Sequence, residues 1–294
     1  MKLKQHLRKR FMYYTTEKYP SLYRPISEPY LSGDTLRKFS NHIFDESQSI
    51  DPKKVKQNDI VFLKTDLKNI YFNNYHNEIK EPYMLICHNS DDSIEEEDME
   101  FIDSKIIYLF AQKLNVPLKK NIYPLPCGLE NKRFRANGKI ENFNKALEGQ
   151  KNLSRKQKVF CSFNIHTNFE TRKALLDQVS TDSKVDTKKF ESNFAYLNAL
   201  SSYKYNLCPE GNNFESHRIW ESLVFGVTPI VINNNVNNNL FKAGVPLLIL
   251  NEWNELDNLS IKELDKINEV NAKKNYRQFV LFDHWKKIIN SKKI

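Results

Sequence analysis

Residues Tyr205 to Ile232 read YNLCPEGNNFESHRIWESLVFGVTPIVI. Their pattern is strand, polar turn, helix, tight turn, strand. An apolar run over Lys204–Cys208 predicts the first strand. The turn Pro209-Glu210-Gly211-Asn212-Asn213 can expose backbone N–H groups, because Gly211 permits close approach. Glu215 or Ser216 can cap a helix over Ser216–Phe225. Ile219, Trp220, Leu223 and Val224 supply its buried side. Gly226 ends it, and Val227–Ile232 predicts the next strand.

The chemistry of this stretch sits at the start of the helix. His217 and Arg218 lie in its first turn, where the backbone dipole is positive, and Glu221 follows within one turn of both. A helix start of this kind suits a diphosphate. Arg218 can hold phosphate with paired charged hydrogen bonds, and a carboxylate such as Glu221 can accept from both hydroxyls of a ribose. Read alone, Arg218 and Glu221 are also compatible with an ordinary surface ion pair. The glycine turn and flanking strands favour the ligand reading.

Outward from this unit, short apolar strands alternate with helical patterns. Ile60–Leu63, Tyr83–Cys87, Lys105–Leu109 and Ile122–Leu125 read as strands, with helices near Thr35–Phe44 and Ser93–Phe101. The stretch from Phe134 to Lys158 is polar and reads as a linker with a weak helix around Phe143–Leu147. The alternation then resumes with strand Val159–Phe163, helices Asn168–Val179 and Phe194–Leu200, the unit above, and strand Val245–Leu250. A long helical segment covers Ile261–Ile289, and the Asn-rich run Asn233–Asn239 reads as a polar loop. Such alternation predicts parallel sheets with covering helices. Two units in series predict two doubly wound α/β lobes facing each other across a cleft, with ligands at the carboxyl ends of the strands. The expected boundaries are a first lobe at 1–135, a linker at 136–158, a second lobe at 159–270 and a C-terminal helix at 271–294.

The segment CPEGNNFESHRIWESLVFGVTPIV resembles the signature of exostosin-type glycosyltransferases and, more distantly, the donor-site motif of α1,3-fucosyltransferases. The match lies in the glycine turn, the acidic residue before Ser216, the His-Arg pair, Trp220-Glu221 and the Gly-x-x-Pro ending. The resemblance implies a GT-B-like fold of two Rossmann-type lobes and binding of a nucleotide-sugar donor here. Arg218 and Glu221 take the donor roles by that resemblance, with Glu210, Gly211, Asn212, Ser216 and His217 around them. In similar donor lobes a basic residue on an earlier strand-loop-helix contacts the diphosphate. Arg172 in CSFNIHTNFETRKALLDQV matches it, with Asn164 in the loop, though a solvated helix residue is the plain alternative.

The first lobe offers ICHNSDDS over Ile86–Ser93, directly after a strand. A transfer that inverts the anomeric centre needs a base, and Asp91 is the first choice with His88 second. Helix capping by Asp91, Asp92 or Ser93 is the plain alternative. Adjacent aspartates without further spaced ligands do not make a metal site, so no metal or other cofactor is expected. The expected partners are a nucleotide-sugar donor and a carbohydrate acceptor. The resemblance places the product in surface polysaccharide, lipopolysaccharide or glycoprotein-glycan synthesis. The alternative is a non-catalytic nucleotide- or carbohydrate-binding protein on a decayed transferase fold.

Bulk properties set limits. The 294 residues carry a formal charge of +9. This favours anionic partners, but the charge is spread and no basic stripe suggests a nucleic-acid binder. Cys87, Cys127, Cys161 and Cys208 lie beside apolar residues at no metal-ligand spacing, and read as buried thiols of a reducing compartment. No apolar run is long enough to span a bilayer, so a cytoplasmic protein is expected. Leu3, Leu7 and Phe11 share one helical face among basic residues, which allows a peripheral membrane contact.

Overall fold

The computed structural model describes residues 24–150, 154–271 and 273–294. The expected N-terminal surface helix at Leu3, Leu7 and Phe11 lies outside the described residues. The first lobe begins with α1 (Gly33–Phe39), whose N-cap Ser32 accepts from the Thr35 N–H. It continues through β1 (His42–Phe44), β2 (Ile60–Lys64), α2 (Lys68–Asn74), β3 (Tyr83–His88), β4 (Ile106–Gln112) and β5 (Ile122–Leu125). The five strands are parallel and stand in sequence order. Every residue of β3 is buried, which is why it reads as an unbroken apolar run. Leu85 and Cys87 meet Tyr71 and Phe72 of α2 on one face. Met84 and Ile86 meet Tyr30, Leu31 and Leu36 on the other.

Two expectations in this lobe are corrected. The helix expected over Thr35–Phe44 ends at Phe39, and His42–Phe44 pairs in parallel with β2. Asn41 makes the switch: its N–H donates to the Ile60 carbonyl and its side chain accepts from the Ile60 N–H, each at 2.9 Å. The helix expected over Ser93–Phe101 is a 3-10 turn over Glu96–Phe101, started by a reciprocal capping box between Glu95 and Asp98.

The stretch read as a linker holds an 11-residue helix, α3 (Ile140–Gln150), with Ile140, Phe143 and Ala146 buried. Phe143 stacks on Phe225 of the second lobe at 6.2 Å and lies 6.1 Å from Tyr30 of the first. The second lobe follows as β6 (Lys156–Cys161), α4 (Phe169–Val179), β7 (Val185–Thr187), α5 (Asn193–Leu200), β8 (Tyr203–Leu207), α6 (His217–Val224), β9 (Thr228–Ile232), α7 (Asn235–Lys242) and β10 (Leu248–Leu250). Its parallel sheet has the order β10-β9-β8-β6-β7. Strand order therefore reverses at β6, and the crevice between the carboxyl ends of β6 and β8 is the place where such sheets bind ligands.

The Asn-rich run is α7, not a loop. Asn234 caps it by accepting from the Asn237 N–H, while Val236 and Leu240 face the core one turn apart. Asn239 donates to the carbonyls of Leu114 at 2.9 Å and Val116 at 2.8 Å, so this helix also ties the lobes together. The long C-terminal helix expected over Ile261–Ile289 is two helices, α8 (Ile261–Ile267) and α9 (Phe282–Asn290). Asn268 and Asn271 break it, donating inward to Thr228 and to the Leu247 carbonyl. The last helix returns to the first lobe, where Phe282 meets Phe39 edge-on at 5.5 Å and donates its N–H to Pro29. Two parallel α/β lobes around a cleft, the second of Rossmann type, make a GT-B-like architecture. None of the described helices is long and apolar enough to cross a membrane.

Candidate active site between the lobes

A cleft of about 810 Å³ opens at the strand-order reversal of the second lobe and is walled by the carboxyl end of the first sheet. On the second-lobe side, α6 points its start into this space. Arg218 donates from Nε to the Ser162 carbonyl at the end of β6, at 2.8 Å. That bond anchors the guanidinium, whose terminal nitrogens have no hydrogen-bond partner among the described residues and line the cleft. Glu221, one turn on, is buried and accepts from the Tyr196 hydroxyl at 2.8 Å through Oε2. Its second oxygen makes no hydrogen bond among the described residues. The Ser216 hydroxyl is buried at the same helix start with no hydrogen-bond partner among the described residues, and makes no cap bond there. One cation, one carboxylate oxygen and a set of helix N–H groups thus converge on one wall, as a diphosphate and its ribose require.

Arg172 has a different part. It donates to the carbonyls of Glu210 at 2.8 Å, Asn164 at 2.8 Å and Pro209 at 3.4 Å. Burial, with the nearby Arg218 charge, lowers its pKa to about 10. It lines the cleft but its donors clamp the two loops at the reversal point together. Asn164 lies on the rim and accepts from the His166 N–H. The expectation for Glu210 is corrected: its side chain accepts from Asn234 at 2.9 Å, at the cap of α7, and does not line the cleft. Gly211 does, and a Cβ there would come within 3.3 Å of the Glu215 carbonyl.

The first-lobe wall departs from expectation most. His88 is buried at the end of β3, where Nε2 must donate to the Pro126 carbonyl at 2.9 Å and Nδ1 accepts from the Asn89 N–H at 2.7 Å. Burial, together with the nearby His217 and Lys113 charges, lowers its pKa to about 4. With both nitrogens committed, His88 has no lone pair for an incoming hydroxyl. It instead holds Asn89 in the left-handed backbone region at φ 60°. Asp91 lines the cleft, but Lys113 donates to its Oδ1 at 3.0 Å and Asn212 to its Oδ2 at 2.9 Å. Asn213 adds a bond to its backbone carbonyl at 2.7 Å. Desolvation pushes the Asp91 pKa up, yet these hydrogen bonds outweigh it and hold the carboxyl below its ordinary value. The geometry makes Asp91 a latch between the lobes, with Asn212 and Asn213 of the second lobe reaching across to it.

Four cleft residues escaped the sequence reading of the site. Glu215, read there as a cap and as the acidic position of the motif, is a buried carboxylate joining the lobes: Oε1 accepts from the Cys127 N–H at 2.9 Å and the Trp220 indole at 2.6 Å. Burial raises its pKa against those two bonds. Tyr196 positions Glu221, Lys113 pairs with Asp91, and Glu130 stands 3.7 Å from His217 Nε2. Glu130 lies in the segment PLPCGLEN (Pro124–Asn131), which runs on from β5 and carries no local pattern that marks a site. Among the described residues no group of three or more His, Cys, Asp or Glu side chains is placed to hold a metal ion.

Comparison with known proteins places these features in a family. No curated protein matches the chain significantly. Among solved structures it is similar to the GtfA/B complex, with 10% identity, TM-score 0.40, and 82% of this chain covered. The chain spans 58% of the length of that protein. It is also similar to a UDP-forming α,α-trehalose-phosphate synthase from Burkholderia xenovorans, with 9% identity, TM-score 0.45, and coverage of 83% of this chain and 74% of the other. A third is Alr3699/HepE of Anabaena in complex with UDP-glucose, with 11% identity, TM-score 0.42, and coverage of 79% and 77%. The family described as the RXYLT1 C-terminal domain matches residues 141–294, which include α6 and the whole strand-order reversal. The chain belongs to the RXYLT1 C-terminal domain family.

Proposed function

We propose that the protein is a glycosyltransferase that takes a sugar from a nucleotide-diphosphate donor and transfers it to a carbohydrate acceptor, in surface polysaccharide, lipopolysaccharide or glycan synthesis. The observation that carries the reading is Arg218, anchored through Nε by the Ser162 carbonyl with its terminal nitrogens turned into the cleft at the start of α6. In this reading Arg218 and the α6 N–H groups neutralise the leaving diphosphate, and Glu221, oriented by Tyr196, accepts from the ribose hydroxyls. Arg172 keeps the two loops of the reversal in register for them. The net charge of +9 suits an anionic donor.

A thermal-shift screen against nucleoside diphosphates and nucleotide sugars tests it. A cognate ligand at about 100 times its dissociation constant adds about 2.7 kcal/mol to stability. Stabilisation by no member of the series contradicts the reading. A decayed, non-catalytic binding protein is distinguished by stabilisation without release of nucleoside diphosphate when donor and a pool of glycans are supplied.

A further inference from the structure

Seven side chains with carboxyl or imidazole groups line the cleft: His88, Asp91, Glu130, His166, Glu215, His217 and Glu221, of which His166 stands apart in the turn before α4, stacked on Phe169. His88, Asp91 and Glu215 have their reactive atoms engaged by the protein, and Glu221 is engaged by Tyr196 and by the role given to it above. Glu130 and His217 remain, Glu130 with Oε1 also accepting from the Asn131 N–H at 3.2 Å. They come from opposite lobes, Glu130 from the segment after β5 and His217 from the first position of α6.

The ring of His217 is oriented. Its Nδ1 lies 2.8 Å from the Gly128 carbonyl, an acceptor only, so Nδ1 carries a hydrogen and donates it. The neutral ring then has its lone pair on Nε2. That atom has no hydrogen bond among the described residues and stands 3.7 Å from Glu130 Oε1. The separation is too long for a hydrogen bond and short enough for a strong charge interaction. An imidazole with one nitrogen fixed by a backbone carbonyl, the other open to a cleft and a carboxylate beside it has the arrangement of a general base.

We infer that His217 accepts the proton of the attacking hydroxyl at Nε2, with Glu130 stabilising the imidazolium that results. The inference rests on the glycosyltransferase reading above. In the step, the acceptor oxygen bonds to the anomeric carbon as its proton passes to Nε2. The bond from that carbon to the diphosphate oxygen breaks, and its electron pair leaves with the diphosphate towards Arg218, the next residue along. The proton later returns to solvent from His217.

The electrostatic surroundings agree. Glu130 and Cys127 face the ring from the segment after β5, with the Cys127 sulfur 3.5 Å from Nδ1. Glu215 and Glu221 surround it from its own motif with Arg218 next in the chain, His88 from the end of β3 and Asp91 from the loop that follows. Burial pulls the His217 pKa down, but Glu130 foremost, with the Gly128 carbonyl, raises it above its ordinary value. The base is therefore active above that raised pKa and is protonated, and silent, below it.

Two variants test the assignment in the full chain, by release of nucleoside diphosphate from a panel of UDP-, GDP- and CDP-sugars with water or a glycan pool as acceptor. His217→Gln is expected to lower kcat by about 10²- to 10⁴-fold while nucleoside diphosphate still binds. Glu130→Gln is expected to keep the high-pH plateau and to move the acidic limb of the pH profile to lower pH, because the carboxylate that raises the His217 pKa most is gone. Titration of the His217 ring by NMR should move in the same direction, and needs no turnover. Wild-type kcat in His217→Gln overturns the inference, as does a Glu130→Gln titration that does not move, or a larger loss from Glu130→Gln than from His217→Gln. Failure of the wild-type protein to bind any nucleotide of the panel overturns the glycosyltransferase reading instead.

Discussion

Arg218→Ala is the substitution whose effect follows most directly from the geometry. Besides lying 5.9 Å from the Tyr196 ring centroid, the side chain has two connections: Nε to the Ser162 carbonyl at 2.8 Å, and terminal nitrogens that line the cleft. The first connection is local and its loss costs about 1 kcal/mol of stability, as for an ordinary hydrogen bond. The second bears on ligand alone. A forked pair of hydrogen bonds to a diphosphate contributes about 1.5–3 kcal/mol per bond in isolation. Two such bonds are not additive, and the half-exposed position weakens them, so a loss of about 3 kcal/mol is expected. At about 1.4 kcal/mol per tenfold, nucleoside diphosphate should bind roughly 100-fold more weakly. Arg218→Lys should fall between the two, because a point charge cannot hold Ser162 and fork a phosphate at once. Isothermal titration of UDP and GDP into the three proteins measures this. A nucleotide that binds Arg218→Ala as tightly as wild type would refute the argument that the anchored guanidinium contacts the diphosphate.

Other expectations concern the frame of the site. Arg172→Ala leaves the Glu210 and Asn164 carbonyls without their donor and should cost about 2–4 kcal/mol in urea denaturation; an unchanged midpoint would mean the clamp is dispensable. Gly128 sits at φ +68° and a Cβ there would lie 2.4 Å from the Leu31 carbonyl, so Gly128→Ala should destabilise by about 2 kcal/mol or more, read as a lowered Tm. Asp91→Asn should weaken the latch at neutral pH. The folded-state pKa of Asp91 is below its ordinary value, so its contribution is present at neutral pH and lost as pH falls through that lowered value. The stability difference between wild type and Asp91→Asn should therefore shrink on acidification below about pH 4, and a constant difference would count against the latch.

The central unit of the fold was legible because its sequence carries several independent signals together. Tyr205–Ile232 has apolar strand runs, a glycine turn, an amphipathic helix and a terminating glycine, and the structure shows β8, α6 and β9 there. Elements held by polar side chains were not legible. Asn41 turns a helix into a strand by imitating a ladder partner, and α7 is hidden because four of its eight residues are asparagine. The short edge strands β1 and β7, of three residues each, lack the length that periodicity needs. In the site, Arg218 and Glu221 could be read from spacing on one helix. Glu130 could not, because its partner lies 87 positions away on the other lobe, and no local pattern marks that meeting. For His88 and Asp91, residue type after a strand suggests a base, whereas the partners of their polar atoms are distant in the sequence, the Pro126 carbonyl for His88 and the Asn212 amide for Asp91.

The central claim is that the start of α6 binds the diphosphate of a nucleotide-sugar donor in the interlobe cleft. A crystal structure of the protein with the nucleoside diphosphate that stabilises it best tests this most directly. The account predicts phosphate oxygens within about 3 Å of the Arg218 terminal nitrogens and the α6 N–H groups, and ribose hydroxyls at Glu221. A nucleotide bound away from α6, or in the cleft with its ribose turned to Arg218 and its phosphates in solvent, would contradict it.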